Sequence, residues 1–149
     1  MIVIRTMSER DSSAVWELEK KCFSVPWSEE SIRAMFSEKG YWNLTARDDG
    51  SLVGYIGMKA VLDEADITNV AVDPDRRRQG IGKMLLRELL AKAGDMGIRR
   101  IFLEVRVSNT AARALYEQAG FRTVDVRKNY YEKPKEDAYI MVWENGERS

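Results

Sequence analysis

The chain has 149 residues, 44% hydrophobic and 32% charged, with 24 Lys plus Arg against 24 Asp plus Glu and no histidine. That length suits one domain, residues 1–149, with a core of its own, and the neutral balance argues against a nucleic-acid binder driven by counterion release. Without histidine, neither a Ser-His-Asp nor a Cys-His nucleophilic machine nor a Cys/His zinc site can be built; proton transfer falls to carboxylates, tyrosines, lysines, the one thiol or water.

The single cysteine gives no internal disulfide and fits a reducing compartment. No apolar run approaches a membrane span, and Met1-Ile2-Val3-Ile4-Arg5 lacks the plan of a signal peptide, so the expectation is a cytoplasmic protein with no membrane partner.

Ile2-Val3-Ile4-Arg5 reads as a short strand, and Ser8-Glu9-Arg10-Asp11 has the form of a capping box. Ala14, Val15, Leu18 and Cys22 mark one face of a first helix, which makes Cys22 a small core residue rather than an acyl-carrying nucleophile. Pro26 breaks the chain, Ser28 caps a second helix with Ile32, Met35 and Phe36 on its inner face, and Gly40 ends it. Residues 41–47 form a strand, Asp48-Asp49-Gly50 a hairpin turn, and residues 52–62 a longer strand. Gly54 and Gly57 within it signal a bulge or a close approach by a neighbour. Asp63-Glu64-Ala65 turns the chain into a third strand of a meander, residues 67–72.

The stretch after that strand organises the chain. Pro74 cannot continue a ladder, and Arg76-Arg77-Arg78-Gln79-Gly80-Ile81-Gly82-Lys83 is a basic, glycine-containing loop. It opens a helix in which Met84, Leu85, Leu86, Leu89, Leu90, Ala93 and Met96 recur at helical spacing and which Gly97 closes. The unpaired N–H groups and positive dipole end at such a start make an anion site, and Gly80 and Gly82 leave no side chain between backbone and phosphate. A Walker loop is excluded, because Arg77 stands where it needs glycine and Met84 where it needs Ser or Thr. The dinucleotide fingerprint fails at Leu85. A diphosphate cradle of another kind remains, beside the plainer reading of a solvated basic turn.

Residues 100–107 alternate, with Ile101, Leu103, Val105 and Val107 on one face and Phe102, Glu104 and Arg106 on the other, in a strand expected to run parallel to the Val70 strand. Ser108-Asn109 caps a short helix, residues 110–119, that Gly120 ends. Residues 121–127 read as a strand, 128–137 as a polar loop, 138–143 as the last strand and 144–149 as a loose tail. Glu104 on a strand and Tyr116 on the following helix can converge on one cleft, a carboxylate able to take a proton and a phenol able to give one. Each also has a plain reading: Glu104 on a solvated face, Tyr116 as a core aromatic, Asn109 as an N-cap only.

Val70-Ala71-Val72-Asp73-Pro74, Arg77-Arg78-Gln79-Gly80-Ile81-Gly82, Asn109 and Ala114-Leu115-Tyr116-Glu117-Gln118-Ala119-Gly120-Phe121, in this order, resemble the GNAT acetyltransferases. The resemblance implies an α/β fold with about seven strands in a mostly antiparallel sheet, a central parallel pair splayed around acetyl-CoA, and about four helices. It implies Glu104 as proton acceptor and Tyr116 as proton donor. Val70, Ala71 and Val72 would meet the acetyl-pantetheine arm through their backbone; Arg78, Gln79, Gly80, Ile81, Gly82 and Lys83 would hold the pyrophosphate, with Asn109 also on the co-substrate and no metal. Pro26-Trp27-Ser28, Leu62-Asp63-Glu64-Ala65, Leu103-Glu104-Val105-Arg106 and Arg127-Lys128-Asn129-Tyr130-Tyr131 narrow it. They resemble the bacterial members that acetylate the N-terminal alanine of a small-subunit ribosomal protein. A protein N-terminus is then the expected partner; a lysine side chain, a small amine, or CoA binding without turnover are the alternatives.

Overall fold

The computed structural model describes residues 1–145. Seven strands form one sheet: β1 (Ile2–Thr6), β2 (Tyr41–Asp48), β3 (Ser51–Val61), β4 (Glu64–Val72), β5 (Arg100–Arg106), β6 (Arg122–Glu132) and β7 (Lys135–Glu144). Their spatial order is β1-β2-β3-β4-β5-β7-β6, antiparallel throughout except for β4 beside β5. Helices α1 (Ser12–Cys22) and α2 (Glu29–Ala34) lie on one face, with Val15, Leu18 and Ile32 against Tyr55 and Ala71. Helices α3 (Ile81–Asp95) and α4 (Thr110–Gln118) cover the other, where Leu85, Leu86, Leu89 and Tyr116 join the main core. Each of those fully buried leucines contributes about 1.5–3 kcal/mol of apolar burial. Among the described residues no helix is long and apolar enough to cross a membrane.

β3 is buried on both faces, which explains its unbroken apolar run and its two glycines. A Cβ at Gly57 would stand 2.2 Å from Asn43 Oδ1 and 2.8 Å from Thr68 Oγ1; one at Gly54 would stand 3.1 Å from the Ala71 carbonyl and from side chains of α3. The close approach expected at both positions is present, and both lie next to register shifts.

The second of those shifts opens the sheet. Gly57 pairs with Asn69 and Met58 with Ile67, so Thr68 is an extra residue on β4. A bulge of this kind bends its strand. β4 pairs with β5 only from Glu64 to Asp66, opposite Arg100 to Phe102, while β5 stays paired with β7 along its whole length. The carboxyl halves of β4 and β5 therefore diverge.

Several sequence expectations need correction. The polar loop expected at 128–137 is mostly strand: β6 runs to Glu132 and β7 starts at Lys135, leaving a turn at Lys133-Pro134. β6 is the sheet's edge and nearly every residue on it is exposed, and beyond Arg127 it has no apolar alternation to read. A local irregularity does interrupt it, with a register shift between Arg127 and Tyr131 and Asn129 at φ +54°. β4 starts at Glu64, three residues earlier than expected. Phe36, Met84 and Met96 are exposed rather than inner-face residues. Of the expected loose tail, Glu144 closes β7 and the Asn145 N–H donates to the Arg99 carbonyl; residues 146–149 lie outside the described residues.

Candidate active site

The divergence of β4 from β5 opens a cleft of about 760 Å³. One wall is the 23–28 segment joining α1 to α2; the base is residues 67–70 of β4 and 103–106 of β5. The far side is α4, with Asn109, Ala112 and Tyr116, and the β6–β7 hairpin from Tyr130 to Pro134. The two loops meet above it: Ser24 Oγ donates to the Lys133 carbonyl at 2.9 Å. Arg106 holds the hairpin from below, donating to the carbonyls of Pro134 (2.9 Å) and Lys133 (3.2 Å) and stacking over the Tyr131 ring at 4.2 Å. The Ser108 N–H and Arg106 in turn keep the Glu136 carboxyl below the usual carboxylate range.

Glu104 faces the cleft because it lies on the side of β5 opposite the buried Ile101, Leu103 and Val105. Its Oε1 accepts from the Tyr130 hydroxyl at 3.1 Å. Tyr116, 7% exposed, sits on α4 against Phe121 with ring centroids 5.8 Å apart. Burial, with Tyr131 adding to it, pushes its phenol up to about 12, above the ordinary value near ~10 expected from its sequence. Tyr131 is likewise pushed up to about 12 by burial, and Tyr130 is raised by burial and by the Glu104 charge. All three phenols stay protonated, as donors, at neutral pH.

Of the residues singled out in the sequence, Val70, Glu104, Asn109 and Tyr116 line this one cleft, whereas Ala71, Val72 and residues 78–83 do not. Ala71 points into the α1 side of the core. Ile81 is buried under β3, so only its backbone is available to a ligand. Asn109 spends its Oδ1 as the N-cap of α4, accepting from the Ala112 N–H at 3.2 Å. The cap expected of Asn109 is present, and the residue also lines the cleft.

The 78–83 segment has the features of an anion cradle. Gly80, at φ +80°, is the N-cap of the 15-residue α3, with no side chain capping the helix and no acidic residue in its first turn. A Cβ at Gly80 would meet nothing within 4 Å, so the glycine there leaves open space rather than relieving a clash. Arg78, Gln79 and Lys83 are exposed around it. Arg76 contributes less than the sequence suggests, because its guanidinium is paired with Asp48 at 2.7 Å. From there a smaller hollow runs between α3 and α4, lined by Lys83, Leu86, Arg87, Leu90 and Leu115. A diphosphate on the N-terminal turn of α3 and an arm laid along β4 toward Val70 fit these residues.

Sequence reasoning missed Glu19. It is wholly buried on α1 and lines the cleft, with Trp27, Tyr55 and Asn69 donating to it. The signal was legible: Glu19 follows Val15 by four residues and precedes Cys22 by three, in the middle of an apolar stripe. Cys22 itself is half-buried beside the cleft, its thiol donating to the Val72 carbonyl at 3.4 Å and raised by burial.

The family model described as Acetyltransferase (GNAT) family matches residues 12–121. The chain belongs to this family. It is 41% identical over 144 residues to the [ribosomal protein bS18]-alanine N-acetyltransferase of Salmonella typhimurium, covering 95% of this chain and 97% of that one. To the protein of the same description from Escherichia coli K12 it is 38% identical, again over 144 residues. The crystal structure of the ribosomal-protein-S18-alanine N-acetyltransferase from Escherichia coli superposes with a TM-score of 0.90 at 37% identity, over 100% of this chain and 99% of that one. Arabidopsis thaliana NAA60 in complex with a bisubstrate analogue, at 21% identity and a TM-score of 0.86 over 97% of this chain and 98% of that one, shares the fold. With relatives of such identity over nearly its full length, this GNAT chain is an acyltransferase, and the splayed seven-stranded sheet is the fold expected of it.

Proposed function

We propose that this chain is an acetyl-CoA-dependent Nα-acetyltransferase, a single catalytic domain of the cytoplasm. Its acceptor is the N-terminal alanine of a small-subunit ribosomal protein. One observation carries the reading: Glu104 and Tyr116 face the same cleft, beneath two loops joined by the Ser24–Lys133 contact, in a chain 41% identical to an enzyme named for that reaction. A cleft roofed in this way suits the free end of a chain better than a residue in its middle.

Acetyl-CoA supplies the acetyl group as an activated thioester. An α-amino group titrates near ~8, so a useful fraction is neutral at pH 7, whereas a lysine amine near ~10.4 is almost wholly charged. As the amine nitrogen bonds to the acetyl carbon and the C–S bond breaks toward sulfur, Glu104 takes the amine's proton, directly or through one water. Tyr130 holds the Glu104 carboxylate in place from the hairpin side. Tyr116 donates to the departing sulfur. A thiol titrates near ~8.5, well below a phenol at about 12, so Tyr116 stabilises the thiolate chiefly as a hydrogen-bond donor. β4 leaves β5 after Asp66, so an N–H of the Val70 strand is the candidate donor to the acetyl oxygen; the Val70 N–H itself donates to Asn69 Oδ1 at 3.2 Å and would have to leave that bond to serve. Direct transfer needs no acyl-enzyme, in keeping with a chain that has no histidine to activate its cysteine.

The test is thiol release from acetyl-CoA with two hexapeptides, one with a free N-terminal alanine and one N-terminally blocked with an internal lysine. Turnover is expected with the first alone and is largely lost in Glu104→Gln. Turnover of the lysine peptide would overturn the Nα assignment.

A further inference from the structure

Glu19 is the one carboxylate wholly buried among the described residues, and the reaction as written does not use it. Packing alone does not call for an acid there: alanine or leucine would extend the apolar face of α1 without the cost of desolvating a charge. What distinguishes the position is the convergence of donors from three separate elements. Glu19 Oε1 accepts from the Trp27 N–H, in the α1–α2 segment, at 3.0 Å. Oε2 accepts from the Tyr55 hydroxyl on β3 and from Asn69 Nδ2 on β4. Asn69 is the residue immediately after the bulge that bends β4, and its Oδ1 accepts from the Val70 N–H at 3.2 Å. Because a carboxylate only accepts, Glu19 dictates which end of the Asn69 amide faces it and so which end faces Val70. Burial raises Glu19 from its ordinary value while the Tyr55 and Trp27 bonds pull it back; Tyr55 is raised by burial and by the Glu19 charge, which keeps it a donor.

We propose that Glu19 is a positioning residue for the acceptor: its carboxylate clamps the Trp27 end of the α1–α2 segment to β3 and β4, and so sets the width of the cleft in front of Glu104. Glu19, Trp27 and Asn69 all line that cleft, so a shift at the clamp is felt where the acceptor lies. The inference rests on the reading that the acceptor enters as the end of a peptide.

In Glu19→Gln one carbonyl oxygen must serve three donors, and the new NH2 faces groups that themselves donate. Steady-state kinetics with the free-alanine hexapeptide is expected to give a peptide KM raised tenfold or more. The acetyl-CoA KM should stay within twofold, kcat within threefold, and the pH profile of kcat unchanged. Hydrogen exchange of the peptide spanning residues 23–28 is expected to accelerate at least tenfold. Tyr55→Phe, which removes one donor, shifts the same two readouts less, and it carries the test if Glu19→Gln does not fold. A hundredfold fall in kcat with unchanged peptide KM overturns the proposal in favour of direct chemistry. A lower melting temperature with peptide KM and local exchange both unchanged overturns it in favour of a purely structural role. If the wild-type chain turns over no free-N-terminal peptide, the Nα reading fails; the exchange of residues 23–28 then decides the clamp by itself.

Discussion

Replacing Tyr116 by phenylalanine tests the assigned donor and the environment that tunes it. Full proton transfer from a phenol at about 12 to a thiolate of pKa ~8.5 is uphill by roughly 3.5 units, or about 5 kcal/mol at 1.36 kcal/mol per unit. On the proposed mechanism the residue would therefore act mainly through a hydrogen bond to a charged sulfur, worth about 1.5–3 kcal/mol. Tyr116→Phe should lower kcat by roughly 10- to 150-fold, well short of the ~10⁴-fold that a full general acid can supply. The same environment sets the pH behaviour. At pH 10.5 a phenol at about 12 is only about 3% ionised, whereas one at ~10 would be about 76% ionised. Thiol release with the free-alanine hexapeptide, followed from pH 7 to 10.5, should show no fall in kcat of about threefold between pH 9.5 and 10.5 that Tyr116→Phe abolishes. Such a fall would refute the buried, raised phenol; a loss of 10⁴-fold in the variant would refute the hydrogen-bonding role. Stability follows the same titration. The folded chain holds this proton more tightly than the unfolded one, so the contribution is complete below pH 10 and is lost as pH rises from 10 to about 12. Its size is on the order of 3 kcal/mol for a two-unit shift, measurable by urea unfolding of wild type against Tyr116→Phe across that window.

Glu104→Gln keeps the size and the Tyr130 contact but removes the base; kcat should fall about 10²- to 10⁴-fold with the acetyl-CoA KM unchanged, and a loss under threefold in initial-rate assays would exclude Glu104 as acceptor. Gly57→Ala forces a Cβ to within 2.2 Å of Asn43 Oδ1 in a strand buried on both faces, at a cost of about 1–3 kcal/mol, so calorimetry should find a melting temperature lowered by about 3–10 °C. Arg106→Met keeps the packing of the stem but releases the Lys133 and Pro134 carbonyls; the expected result is a severalfold higher peptide KM with unchanged acetyl-CoA KM, and equal rises in both would refute a role confined to the hairpin. Gly82→Asp puts a carboxylate in the first turn of α3, where the proposed diphosphate would lie; acetyl-CoA affinity by calorimetric titration should fall tenfold or more, and unchanged affinity would move the cradle elsewhere.

The site was legible where chemistry and local backbone requirements coincide in a short stretch. The glycine-basic loop, the alternating strand that presents Glu104, and the Asn109 cap each follow from spacing within a few residues, and each appears where expected. Glu19 was passed over because a carboxylate in an amphipathic helix is normally solvated; what makes this one different are partners 8, 36 and 50 residues away. The β6–β7 hairpin was misread for a related reason. An edge strand exposed along its length owes its conformation to the ladder with its neighbour, and a ladder leaves no hydrophobic period in a strand with no buried face.

Local sequence by itself determined most of the elements, the caps and the glycine-containing, basic start of α3, because those depend on residues within a turn or two of one another, and composition alone excluded histidine chemistry. Only the tertiary structure decided that the Thr68 bulge parts β4 from β5, that Glu104 and Tyr116 face the resulting cleft, and that the phenol there is raised to about 12. Strand divergence and desolvation are properties of neighbours brought together across the chain, and no window of sequence contains them.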